Sequence, residues 1–163
     1  MDFDVDAITH VARRLAAGET LAGDEFTVPL GAFSTDALGV TFDRVSTGRF
    51  EAHADLDERH HQPFGLVHGG VWVGIVETVG SVAAQTRVVL EEKAVVGVHN
   101  ATDFLRAFRS GRVDIVGEPV HIGRTQHLWQ VTILRASDGK TIARGQLRVQ
   151  VIDPATARAI GTS

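Results

Sequence analysis

From Gly69 to about Leu90 the sequence is apolar nearly all the way round a helical wheel, and in its middle it carries one carboxylate, Glu77. A helix without a polar face belongs in a core. A charge there is costly unless a partner or a wet site receives it. The few small and polar positions, Gly70, Gly74, Glu77, Ser81 and Gln85, recur at three and four residues and so form one stripe. That stripe is expected to line a cleft or a subunit interface while the other faces fill the core. Gly69 and Gly70 open the helix, where backbone N–H groups lack intrahelical partners and the dipole is positive. Such amides suit a developing oxyanion, and a residue without Cβ lets a ligand come close. A carboxylate and an oxyanion hole together point to attack on an acyl carbonyl. Gly69 and Glu77 are separated by eight helical steps, roughly 12 Å. No glutamate side chain bridges that, so one acyl group is expected to meet Glu77 of one chain and the helix start of another, in a homodimer.

The chain has 163 residues, enough for one domain with a proper core. Its net charge of −4 gives no reason to expect nucleic acid. With no cysteine, disulfides, thiolate metal sites and a cysteine nucleophile are excluded. That fits a reducing, cytoplasmic setting. The acidic start, Met1 to Asp6, has no secretory signature, and no uninterrupted apolar run reaches the ~18 residues of a membrane span.

In order, residues 4 to 17 read as an amphipathic helix. Val5, Ile8, Val11, Ala12 and Leu15 share a face, Asp4 caps it and Gly18 ends it. Residues 18 to 34 are irregular, with Phe26, Val28, Leu30 and Phe33 as anchors. Residues 1–34 thus form an arm, 35–153 the main domain and 154–163 a tail. Val40 to Val45 and Arg49 to Leu56 read as strands around a Thr47-Gly48 turn. A polar loop, Asp57 to Pro63, leads into the helix. Four strands follow: Ala94 to Arg106, Arg112 to His121 with a bulge or edge at Pro119, Arg124 to Ala136, and Thr141 to Ile152. Ser137-Asp138-Gly139-Lys140 turns between the last two. Two strands, a long buried helix and four strands give an α+β fold, an antiparallel sheet wrapped around one helix.

Two stretches carry a resemblance to a known family. One is Gln62-Pro63-Phe64-Gly65-Leu66-Val67-His68-Gly69-Gly70 with Glu77 and Ser81 beyond it; the other is Asn100-Ala101-Thr102-Asp103-Phe104-Leu105-Arg106. Over about residues 36 to 152 the chain resembles a hotdog-fold acyl-CoA thioesterase. It is most similar to the branch of the phenylacetate-pathway and Arthrobacter-type 4-hydroxybenzoyl-CoA thioesterases. The resemblance implies a hotdog fold, dimers with a continuous sheet, often tetramers, an acyl-CoA substrate and no separate cofactor. It makes Glu77 the catalytic acid, as nucleophile or general base, and the Gly69 N–H the donor to the carbonyl from the facing chain. Gln62 would hold the same carbonyl region, and Ser81 would orient water or the acid. Gly70, Asn100, Thr102, Arg106, Arg124 and Thr125 would bind substrate, the last three through coenzyme A. Relatives often have proline where this chain has Ala107, and a smaller residue where it has Arg124.

Other assignments are weaker. His68 is a candidate base, but a role holding the helix start by hydrogen bonds is preferred. His60, His61 and His68 fit no common metal-ligand spacing and read as a solvated loop. Arg109 and Arg112 join Arg106 and Arg124 as possible phosphate contacts. Trp72 and Trp129 read as core or acyl-pocket wall. No histidine stands at a spacing that would make Ser81 a triad nucleophile. A non-catalytic acyl-CoA sensor is the alternative, although such proteins usually carry an attached DNA-binding module. A hydratase would need an Asp/His pair in a motif not found here.

Overall fold

A computed structural model describes residues 4–156. Helix α1 spans Val5–Ala16. Asp4 caps it by accepting the Ala7 N–H at 2.9 Å, and Gly18 follows with φ of 86°. Strand β1 is a two-residue segment, Leu21–Ala22. Then come β2 (Thr41–Ser46), β3 (Arg49–Leu56), the long helix α2 (Gly69–Val88), β4 (Ala94–Phe104), β5 (Gly111–Ile122), β6 (Gln126–Arg135) and β7 (Thr141–Ile152). The seven strands form one antiparallel sheet in the order β1-β2-β3-β5-β6-β7-β4.

The alternation of β3 sorts as the sequence predicts. Phe50, Ala52, Ala54 and Leu56 are all buried, and with Val113, Ile115, Val131, Ile133, Leu147 and Val149 they make the inner face of the sheet. Ile75, Val76, Val79 and Ala83 of α2, each 0% exposed, fill its curve. The helix sits tight against β7: a Cβ on Gly145 would lie 2.7 Å from Val76 Cγ2. By length and composition α2 and its 3₁₀ extension to Glu91 would suffice to cross a bilayer, but more than half of the stretch is buried inside the protein. Reading only for an uninterrupted apolar run therefore undercounted this helix. Burial of Ile8, Val11, Ala12 and Leu15 joins α1 to the same core.

Several boundaries differ from the sequence reading. Strand β4 ends at Phe104, so Arg106 lies in a loop, and β6 starts at Gln126, so Arg124 and Thr125 lie in the preceding turn. Of the four proposed anchors, Phe26 and Val28 are buried and Leu30 partly so, but Phe33 is 65% exposed. It opens a wide helical turn, Phe33–Ala37, that composition alone did not announce. Pro119 sits at a register shift in the β5–β6 ladder, which absorbs its missing donor. Of the tail, residues 157–163 lie outside the described part.

Candidate active site

Glu77 is half-buried on the face of α2 that meets β4. The strand makes room for it at Gly97, where a Cβ would stand 2.3 Å from Glu77 Oε1. Just beyond, β4 bulges: Gly97 pairs with Val149 but His99 with Arg148, leaving Val98 as the extra residue. The bulge brings Asn100 and Thr102 to the helix side. Asn100 Nδ2 donates to Glu77 Oε2 at 3.1 Å and to the Val73 carbonyl at 3.2 Å. Thr102 Oγ1 donates to Asn100 Oδ1 at 2.7 Å, which fixes which way the amide faces. Ser81 Oγ reaches Glu77 Oε1 at 3.5 Å, a loose contact. The carboxylate is therefore held by Asn100 through one oxygen and only loosely contacted by a side chain at the other. Asn100 and Thr102, expected at the substrate, are joined here to Glu77. Gln85, the last member of the stripe, instead pins the start of β4 through Lys93 O and Val95 N.

The helix start is assembled from two loops. His68 is the N-cap, and its Nδ1 accepts the Gly70 N–H at 2.8 Å, so the ring proton sits on Nε2. This is the holding role preferred for His68. It uses the Gly70 amide, whereas the Gly69 N–H has no acceptor among the described residues. Gln62 Oε1 accepts the Phe64 N–H at 2.6 Å, and its NH₂ has no acceptor among the described residues. His60 is not solvated as expected: it is 6% exposed, and its ring nitrogen receives the Asp57 N–H. Bonds from Arg59, first from its side chain and then from its backbone, hold the Asp57 carboxyl at about 2. The loop is tied to residues 108–109 by Val67 N–H to Phe108 O (2.8 Å), His61 to Arg109 O (2.7 Å) and Arg109 to Gly65 O (3.1 Å). Among the described residues no His, Asp and Glu group is arranged to hold a metal.

The coenzyme candidates fall at opposite ends of the sheet. Arg106 donates to the Thr141 carbonyl at one end of β7. The turn holding Arg124 and Thr125 meets the other end, where Val151 N–H donates to Thr125 O. Ten strand steps separate Thr141 from Val151, roughly 33 Å. Trp129 is fully buried against Phe50, and Trp72 is buried against Phe108, so both indoles serve the core. The signal that sequence reading missed is Gly97, legible only once the carboxylate is seen beside it.

A profile of the thioesterase superfamily matches residues 64–142, from the loop before α2 to the start of β7. A Pseudomonas aeruginosa protein named as a putative esterase is 38% identical over 124 residues, covering 76% of this chain and 84% of that one. The chain belongs to the thioesterase superfamily. Within that superfamily, the 1,4-dihydroxy-2-naphthoyl-CoA hydrolase of Escherichia coli is 38% identical, covering 59% of this chain and 70% of its own. The crystal structure of a Haemophilus influenzae thioesterase superposes with a TM-score of 0.68 at 34% identity, over 74% of this chain and 82% of that one. The hotdog fold is thereby shown, and the chain is a thioester hydrolase by kinship.

Proposed function

We propose that this thioesterase hydrolyses an acyl-CoA, of aryl or medium-chain type, with Glu77 as the attacking carboxylate or as the base that deprotonates water. The observation that carries the reading is the carboxylate itself, half-buried in an apolar helix and held by Asn100. Attack on the thioester carbon makes a tetrahedral intermediate whose oxygen carries the charge. The C–S bond then breaks and the sulfur leaves as thiolate; where water attacks, the proton Glu77 took from it passes to the thiolate and the acid is released directly, and where Glu77 attacks, water then hydrolyses the acyl–glutamyl anhydride, freeing the acid, restoring the carboxylate and supplying the proton. The Gly69 N–H of a second chain and the free Gln62 NH₂ would receive that oxygen. A partner is required because Gly69 and Glu77 of one chain stand roughly 12 Å apart along α2. The distance between Arg106 and the Arg124–Thr125 turn supports the same assembly, since one nucleotide would meet them from different chains. β4 offers the edge for pairing, bonded only to β7. A dimer or a dimer of dimers satisfies these requirements.

The test is release of free thiol from a panel of aryl- and alkyl-CoA esters. Glu77→Ala is expected to lower kcat by about 10³-fold with unchanged thermal stability. Full turnover by that variant would sink the assignment, and tight acyl-CoA binding without turnover by the natural chain would make it a sensor.

A further inference from the structure

The family resemblance would set Asn100 and Thr102 against the substrate, but the Asn100 amide is fully occupied within the chain. Its Nδ2 carries two protons. One goes to Glu77 Oε2 at 3.1 Å and the other to the Val73 carbonyl at 3.2 Å. Both acceptors are oxygens, so turning the amide over would set Oδ1 against a carboxylate and a carbonyl. Oδ1 faces the other way and accepts from Thr102 Oγ1 at 2.7 Å. That leaves Thr102 to donate and Asn100 to pass the bond on. Strand β7 places the hydroxyl. The cross-strand partner of Thr102 is Gly145, which has no side chain to compete for it. A Cβ on Gly145 would lie 2.5 Å from Thr102 Oγ1, so the hydroxyl occupies space the glycine leaves. Asn100 and Thr102 are two residues apart on β4 and share its helix side, which lets the hydroxyl meet the amide along the strand. A donor to Oδ1 also polarises the amide and strengthens its N–H bond to the carboxylate.

We propose that Thr102 is a positioning residue for the hydrolysis. It acts only through Asn100, the two together fix the direction of the Glu77 carboxylate, and neither binds substrate. The proposal rests on Glu77 being the reacting carboxylate. The test measures kcat and KM by thiol release from the acyl-CoA ester the natural chain turns over fastest. The variants are Thr102→Val, Thr102→Ala, Thr102→Ser, Asn100→Ala and the double variant Asn100→Ala with Thr102→Val. Valine keeps the shape and removes the hydroxyl; alanine removes it by a second route should valine not fold. Either should lower kcat about tenfold and change KM by less than about twofold, as loss of one aligning hydrogen bond requires. Thr102→Ser, which keeps the hydroxyl, should hold kcat within about threefold of the natural chain. Asn100→Ala should lower kcat about 10²-fold, and adding Thr102→Val to it should change nothing further, because the route to Glu77 is already cut. An unchanged kcat without the hydroxyl, a loss that appears in KM, a loss that serine does not restore, or additive losses in the double variant overturns the proposal. Full turnover by Glu77→Ala would overturn the Glu77 reading and this proposal together. An inactive Glu77→Ala beside a fully active Thr102→Val would overturn this proposal alone.

Discussion

The two ends of α2 are built from the same apolar sequence and put to opposite uses. At the N-terminal end, glycines keep the helix surface low, and the rings nearest them, Phe33 and Phe104, are 65% and 55% exposed. Among the described residues the Gly69 amide has no acceptor, and a half-buried carboxylate is held by Asn100. At the C-terminal end, α1 closes over the helix with Leu15 at 3% exposure, and Thr86 and Val88 are buried. Polar groups there are trapped rather than presented. Among the described residues the Arg87 Nε and His127 Nδ1 lack partners, and Arg87 bonds the Thr47 carbonyl. Unpaired buried donors cost stability, and the packing of α1 against this end is what anchors the helix.

The comparison is sharpened most by a pair of truncations. Glu77→Ala should abolish nearly all turnover without unfolding, while Leu15→Ala should cost about 3 kcal/mol of stability and leave kcat unchanged. Thermal melts and thiol release on both proteins check this, and a large kcat loss in Leu15→Ala would mean the ends are coupled. Next in size is Gly97→Ala. Its Cβ falls within 2.3 Å of Glu77 Oε1, the tip of a flexible side chain, so the carboxylate moves and its bond to Asn100 is lost. Turnover should fall about 10²-fold with little change in melting temperature. The smallest effect lies at the closed end. Burial, then the nearby Arg87 charge, pushes the His127 imidazole below the usual histidine range. Unfolded chains bind that proton from about pH 6.5 downward while the folded chain does so only at lower pH. Stability should therefore fall as pH drops below about 6.5, by no more than about 1.4 kcal/mol per pH unit. His127→Leu should flatten that slope in melts between pH 7.5 and 5.5; an unchanged slope would place the sensitivity elsewhere.

Much of this was legible in the residues. The buried helix, its start at Gly69 and the alternation of β3 and β7 follow from periodicity, because burial sorts side chains at intervals that sequence preserves. The lone acid in an apolar helix stood out for the same reason. The helix start motif carried the family.

What the chain could not show by itself is how Glu77 is held. Strict alternation along β4 from Gly97 would face His99 and Ala101 to the helix. A bulge of one residue reverses that, bringing Asn100 and Thr102 to the carboxylate. Period-two patterns give a face only until a register shift, and the shift is set by pairing with β7. In the same way, Phe33 standing open over Gly74 is a contact between segments far apart in the chain. Sequence fixes which residues want to be inside; only the packed chain decides which neighbour each one meets there.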